Sequence, residues 1–369
     1  MIKTIPVILA GGIGERFWPM SRSSSPKQLH AIGSDKSMIE ETILRTQDCR
    51  SDDVKPMLIT GAGIADKVAA AVGSDDIEII AEPIGKNTAP AIAIAAAIIK
   101  KRHGDAVMVV VSADHAIKPA KKFSHAVRRA VDLAAKRDEL VVFGIKPTRP
   151  ETGYGYIELG EPIETPQPSE SGDGATGRAA FKVKRFVEKP NPEKAKIFME
   201  SGNFLWNSGM FVWKASTILN EFQRNMPDLY DQAVSASNKD FTAEAINEFY
   251  AVCRKESIDF GVMEKAKSVS AVCGDFFWDD LGSWESLSRV YGVNGSGTTA
   301  AGPLIHDSEC VDSLIVNKTN RALVVVGLKN VAAVAVDDAV FVIDRSRLPD
   351  LKMYLSEIKE SGKLPAELF

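Results

Sequence analysis

Cysteine is scarce and scattered. Cys49, Cys253, Cys273 and Cys310 are the four the chain has, and no two stand in a CxxC pair. That spacing argues against a zinc site or a disulfide framework and fits a reducing cytosol. Long hydrophobic runs are missing too. The longest, "APAIAIAAAII", is too short to span a bilayer, and no basic, apolar, small-residue leader precedes "MIKTIPVILAGG". Nor is there an excess of positive charge: the net charge is −4, which argues against broad nucleic-acid affinity and makes local basic clusters the informative feature. These absences predict a cytoplasmic protein with neither a membrane nor a nucleic-acid partner.

Two familiar phosphate-binding signatures are absent as well. After Gly12 and Gly14 the position a dinucleotide fingerprint needs as glycine is Phe17, and Gly14 leads into Glu15 and Arg16 where a Walker loop needs Gly-Lys and a hydroxyl. What is present is the stretch "LAGGIGERFWPMSRSSSPKQ", directly after the apolar run "TIPVIL". Gly11, Gly12 and Gly14 let backbone N–H groups approach a ligand closely, while Arg16, Arg22 and Lys27 bring fixed cations to the same place. That combination suits a polyphosphate. Its position after an N-terminal strand is where open α/β sheets bind ligands, and Pro19 and Pro26 stiffen it beyond what a linker needs.

With 45% apolar and 25% charged residues over 369 positions, the chain can bury one large domain and a smaller one. Apolar runs "TIPVIL", "PMLIT", "IEIIA" and "AVMVVV" alternate with helical patterns, the rhythm of a parallel, doubly wound sheet. Ser37 and Glu40 stand in capping-box spacing before a helix from about Met38, and Asn87 or Thr88, with Pro90 in the first turn, opens an Ala-rich helix. Residues 160–180, rich in Pro, Gly, Ser and acid, read as an excursion or hairpin tip, and "GVNGSGTTAAGP" marks a boundary. Beyond it "CVDSLIV", "ALVVVG", "VAAVAV" and "AVFVID" recur with turn residues between them, which predicts a small β-helical stack. The last helix places Leu351, Tyr354, Leu355 and Ile358 on one face.

In one order, "LAGGIGERFWPMSRSSSPKQ", "AEPIGKNTAPAI", "VVVSADH", "TGYGYIE", "FVEKPN", "WNSGMFVW", "FGVMEK" and "WDDLGSW" resemble the sugar-nucleotide pyrophosphorylases, specifically the bacterial mannose-1-phosphate guanylyltransferase family. Each motif is weak alone, and eight in register are specific. The resemblance covers most of residues 4–290 and implies a doubly wound, Rossmann-like mixed sheet of the nucleotide-diphospho-sugar transferase fold over 1–292. A short left-handed β-helix with a terminal helix is implied over 303–369. It implies GMP transfer from GTP to mannose 1-phosphate, yielding GDP-mannose and pyrophosphate, with Mg²⁺ or Mn²⁺ as cofactor and a homodimer as assembly. Many relatives carry an isomerase domain after the β-helix; since the sequence stops at Phe369, no isomerase activity is expected.

The chemistry joins two polyanions by in-line attack, so a protein performing it must neutralise and align them and needs no covalent nucleophile. Arg16 and Lys27 are the expected triphosphate cations, with Arg22 either a third or a residue that ties the loop down. The resemblance implies that Leu9, Gly11, Gly12 and Gly14 line the nucleotide. Asp114 and Asp280 are the expected metal ligands, Asp279 being the rival of its neighbour, and His115 a supporting donor. Glu82 can accept both N1–H and the exocyclic amine of guanine, a pair of donors adenine cannot offer. Lys86 and Asn87 either touch ribose or phosphate or shape the helix entry. For the sugar, Lys189 can offer a point charge to the 1-phosphate and Glu188 can accept from hydroxyls, and the resemblance implies that Gly155 and Asn207 line the ring. Trp206, Trp213 and Phe211 read as core. Three competing readings are a glycosyltransferase, which leaves the glycine-rich loop unexplained, a non-catalytic GDP-mannose-binding paralogue, and a pyrophosphorylase for another base or sugar.

Overall fold

The computed structural model describes residues 2–12, 14–73, 76–163 and 180–369. The chain forms two compact units. The first comprises Met1–Gly11, Thr42–Ala113 and Ile117–Trp278, the second Gly12–Glu41, Asp114–Ala116 and Asp279–Phe369.

The first unit opens with four Val/Ile-rich strands, β1 (Thr4–Ala10), β2 (Met57–Gly61), β3 (Glu78–Glu82) and β4 (Val107–Ser112), separated by α1 (Met38–Gln47), α2 (Ala65–Val72) and α3 (Thr88–His103). Their parallel order β3-β2-β1-β4 is the doubly wound arrangement the alternation predicts. After the short β5 (Ala116–Lys118) and α4 (Ala120–Lys136), the chain adds β6 (Leu140–Ile145), β7 (Tyr156–Pro162), β8 (Ala180–Val187), α5 (Pro192–Ser201) and β9 (Phe204–Lys214). Helices α6 (Ala215–Asn225), α7 (Pro227–Asn238) and α8 (Ala243–Val252) then lead to β10 (Val269–Gly274) and β11 (Phe277–Asp279). β9 inserts between β4 and β6, antiparallel to both, so the nine-stranded sheet is mixed, in the order β3-β2-β1-β4-β9-β6-β10-β8-β7. Of the expected excursion or hairpin tip at 160–180, residues 164–179 lie outside the described residues; the flanking β7 and β8 pair antiparallel.

Helix α3 explains its alanines by its position. Every residue from Ala89 to Ile99 is buried, and small side chains let the helix pack closely on α6 and α7. Asn87 caps it, its side chain accepting from Thr88 N at 2.9 Å. The predicted capping box of α1 is also formed: Ser37 N donates to Glu40 Oε2 at 2.8 Å, and Glu40 N returns to Ser37 Oγ at 3.4 Å.

The second unit has its own core, in which Phe17, Trp18 and Met20 of the glycine-rich segment are buried with Leu281, Trp284, Leu314, Val334 and Leu351. Trp18 Nε1 donates to Leu368 O at 2.6 Å, and its ring stacks on Phe369. After α9 (Ser286–Tyr291) come β12 (Thr299–Ala301), β13 (Ile305–Ser308), β14 (Leu314–Asn317), β15 (Leu323–Val326), β16 (Val331–Val336), β17 (Ala339–Asp344) and α10 (Leu351–Ser361). β12, β14 and β16 stack in parallel, as do β13 and β15. The fourth recurring unit, "AVFVID", departs from the expected stacking: β17 turns back and pairs antiparallel with β16. Leu351 and Leu355 of α10 are buried and Tyr354 and Ile358 half-buried, the single face predicted.

Candidate functional site

In the second unit the loop is shaped by Gly14, whose φ is +75°; a Cβ there would stand 2.7 Å from Lys27 Cβ and 3.0 Å from Ser21 Oγ. That close approach seats Lys27, whose side chain is only 5% exposed. Its ammonium lies 2.7 Å from Asp114 Oδ2 and donates to the carbonyls of Asp280 at 3.0 Å and Leu281 at 2.9 Å. All three ammonium donors are therefore engaged. Lys27, Asp114 and Asp280 are brought together, Asp280 through its main chain. Gly14→Ala is expected to lower stability by about 2 kcal/mol through left-handed backbone and overpacking on Lys27, measured by thermal unfolding.

The adjacent acids divide cleanly. Asp279 is buried, one carboxylate oxygen held by the Arg289 guanidinium and the other accepting from Leu281 N at 2.9 Å. Asp280 is half-exposed, and its Oδ1 accepts from Gly282 N at 2.9 Å. A Cβ on residue 282 would press within 2.7 Å of Asp280 Oδ2, so the turn after Asp280 calls for glycine. Arg16 is exposed and enters no ion pair among the described residues. Arg22 instead ties the loop down: it donates to Pro19 O at 2.9 Å and grips both carboxylate oxygens of Asp338 at 2.6 Å. His115 is half-buried beside Asp114. Among the described residues no cluster of three or more His, Cys, Asp or Glu forms a metal cage. A hard cation that keeps waters and phosphate oxygens in its shell needs only one or two carboxylates.

The first unit holds two further clusters. At the end of β3, in register with Gly61 of β2, Glu82 is 5% exposed. Its Oε2 stands 3.0 Å from where a Cβ of Gly11 would be, and its buried Oε1 has no hydrogen-bond partner. Burial raises its pKa, opposed by the Tyr250 hydroxyl beside it, although that hydroxyl makes no well-formed hydrogen bond. Sequence reasoning missed Tyr250, which sits far along the chain in α8 with only helical periodicity to mark it. Leu9 is half-buried and its carbonyl accepts from Ala113 N at 2.9 Å; Gly11 and Gly12 are exposed. Lys86 Nζ donates to Cys253 O at 3.1 Å, and Asn87, at φ 70°, serves as the α3 cap.

The second cluster follows β8. Glu188 is nearly enclosed, its side chain 8% exposed, whereas that of Lys189 is 59% exposed. Lys189 Nζ donates to Glu188 Oε1 at 2.9 Å, while Glu188 Oε2 is buried without a partner. Gly155 makes room for that oxygen, since a Cβ would overlap it, and Gly155 O accepts from Asn207 N at 2.8 Å. Asn207 Nδ2 donates to Asp259 at 2.9 Å. Asp259, immediately before "FGVMEK", escaped the sequence reading because a lone acid beside a motif carries no spacing signal. Trp206, Trp213 and Phe211 are core, 2%, 0% and 2% exposed.

Residues 5–292 match the family described as Nucleotidyl transferase. The Xanthan biosynthesis protein XanB of Xanthomonas campestris pv. campestris (strain B100) is 37% identical over 374 residues, covering 99% of this chain and 75% of that protein. The mannose-1-phosphate guanylyltransferase of Escherichia coli (strain K12) is 36% identical, covering 98% of this chain and 74% of that protein. Among solved structures, one described as a mannose-1-phosphate geranyltransferase from Thermus thermophilus aligns with a TM-score of 0.83 at 28% identity, over 97% of this chain and 100% of that one.

Proposed function

The chain belongs to the nucleotidyl transferase family, within its mannose-1-phosphate guanylyltransferases, and from that membership we propose that it transfers GMP from GTP to α-D-mannose 1-phosphate, releasing pyrophosphate and supplying GDP-mannose for polysaccharide and glycoconjugate synthesis. The observation that carries the guanine part is Glu82: a buried carboxylate oxygen without a partner, beside the glycine that lets a ligand approach. A carboxylate so placed accepts from N1–H and the amine of guanine, and a buried acceptor facing adenine N1 would be left unpaired. On the sugar side, Lys189 meets the 1-phosphate and the unpartnered Glu188 Oε2 accepts from a ring hydroxyl, with Gly155 and Asn207 against the ring.

Asp114 and Asp280 fit a divalent cation. Both offer hard oxygen donors on half-exposed side chains, the kind such a cation takes. When bound, such a cation, Mg²⁺ or Mn²⁺, would be held by these two carboxylates and would neutralise charge developing in the transfer. Lys27, with its three donors engaged, holds Asp114 in place and adds its charge beside the acids. Arg16, exposed in the loop, draws in the triphosphate and stabilises the leaving pyrophosphate. The nucleophile is a phosphate oxygen already ionised, so the residues align it rather than deprotonate it.

The end of the family match at 292 supports a nucleotidyltransferase domain over 1–292. The parallel stacks of β12, β14 and β16 and of β13 and β15 support a short β-helix with terminal helix over 303–369, despite the reversed β17; its left-handed sense is taken from the family resemblance. Among the described residues no helix is long and apolar enough to cross a membrane. We read the enzyme as a cytoplasmic homodimer. Pyrophosphate release across GTP, ATP, UTP and dTTP against mannose, glucose and galactose 1-phosphates tests the function. The expected pattern is one preferred pair, GTP with mannose 1-phosphate; preference for another base or sugar would move the assignment to a sister activity.

A further inference from the structure

Asp259 opens a π-helical turn, Asp259–Met263, a form found mostly as single turns and frequently at functional sites. The turn is firmly seated. Ile258, Val262 and Met263 are buried, and Gly261 has no Cβ because Met226 Sδ occupies that space. Its leading segment is pinned to the base-side motif: Glu256 N donates to Lys86 O, Ala89 N to Glu256 O, both at 3.1 Å, and Ile258 N to Thr88 Oγ1 at 2.9 Å. The Asp259 carboxylate is enclosed by protein although the residue as a whole is half-buried.

Asn207 has one acceptor oxygen and one two-proton nitrogen. Gly209 N donates to Asn207 Oδ1 at 3.0 Å, and Asn207 Nδ2 donates to Asp259 Oδ1 at 2.9 Å. With both ends held the amide cannot turn over, and one Nδ2 proton is left for a ligand. We propose that Asp259 is a positioning residue for the sugar phosphate: by holding Asn207 Nδ2 from a rigid turn, it fixes which atoms Asn207 presents to the sugar ring next to Glu188. The inference rests on the sugar-side reading given above.

The groups facing Asp259 are Glu188, Lys189 and Asn207. Burial first, and then the charge of Glu188, push its carboxyl up to about 6, against the Asn207 hydrogen bond and Lys189. Above that pH the bond to Asn207 is charge-assisted, and below it the bond weakens. The KM for sugar phosphate therefore rises as pH falls through about 6. The substrate's own phosphate titrates in the same range, so the readout is the ratio of KM between Asp259→Asn and wild type, in which substrate ionisation cancels.

The test is steady-state kinetics of wild type, Asp259→Ala, Asp259→Asn, Asn207→Ala and the Asp259→Ala/Asn207→Ala double variant. Asp259→Ala should raise KM for mannose 1-phosphate about tenfold, the effect of one charge-assisted bond, and leave KM for GTP within about twofold. Asp259→Asn should recover most of that loss and flatten the pH dependence of KM. Once Asn207 is alanine, removing Asp259 should change KM by less than about twofold. Equal rises in both KM values, or a full additive effect in the Asn207→Ala background, would overturn the proposal. Wild type that uses another hexose 1-phosphate instead would overturn the sugar assignment alone, and the Asp259 series would then be read on that hexose.

Discussion

Asp280→Ala is expected to lower kcat by about 10³-fold, because the several kcal/mol that a cation contributes to charge stabilisation at the phosphate oxygens is lost with its ligand. Stability should change little. The hydrogen bond that Lys27 donates to Asp280 goes to the backbone carbonyl, which alanine retains, while the side-chain hydrogen bond from Gly282 N is lost. Asp114→Ala should match the loss of turnover and add a fall in stability of about 2 kcal/mol, since the Lys27 ammonium is left buried without its half-exposed carboxylate. Asp279→Ala separates the neighbours: it takes the carboxylate away from Arg289 and should act on stability, with turnover still responsive to added metal. Excess EDTA should abolish wild-type activity and Mn²⁺ restore it. Full turnover in EDTA, or a harmless Asp280→Ala, would remove the metal from the account.

The second large effect concerns the base. Wild type should prefer GTP to ATP by about 10⁴ in kcat/KM, because a site that hydrogen-bonds its substrate rejects an analogue that leaves a buried group unpaired. In Glu82→Gln the amide accepts from one guanine donor and turns its N–H₂ toward the other, so kcat/KM for GTP should fall about 10²-fold or more while ATP use changes little. The pH dependence has a definite sign. Burial raises the Glu82 pKa, and only the ionised carboxylate accepts from both donors. As pH falls through that raised pKa, kcat/KM for GTP should decline in wild type, and the Gln variant should lack that inflection. An unchanged GTP-to-ATP ratio in Glu82→Gln would move base recognition to backbone groups between Leu9 and Gly12.

Local signals carried much of the fold. The Val/Ile runs of β1 to β4, the Ser37–Glu40 box and the Asn87 cap each form where their chemistry demands. Strand order was beyond them: nothing in "NSGMFVWK" says that β9 will insert antiparallel between β4 and β6, because that depends on long-range packing. The same limit hid β17, whose "AVFVID" has the local pattern of a parallel rung. Motifs singled out Glu82, Glu188, Lys189, Asn207, Asp114 and Asp280 as the residues to propose for the site. They could not foresee that Arg289, ten residues on, holds Asp279 and not Asp280. Nor could they show that the three protons of Lys27 are engaged, or that Arg22 reaches Asp338, 316 residues away. Asp259 and Tyr250 acquire meaning only through contacts made by the tertiary fold.

Phosphorus NMR of the wild-type protein incubated with GTP, mannose 1-phosphate and Mg²⁺ tests the central claim most directly. GDP-mannose and pyrophosphate should accumulate in equal amounts, and neither should form when the sugar phosphate is left out. Orthophosphate as the main product, or pyrophosphate released without a matching sugar nucleotide, would contradict guanylyl transfer.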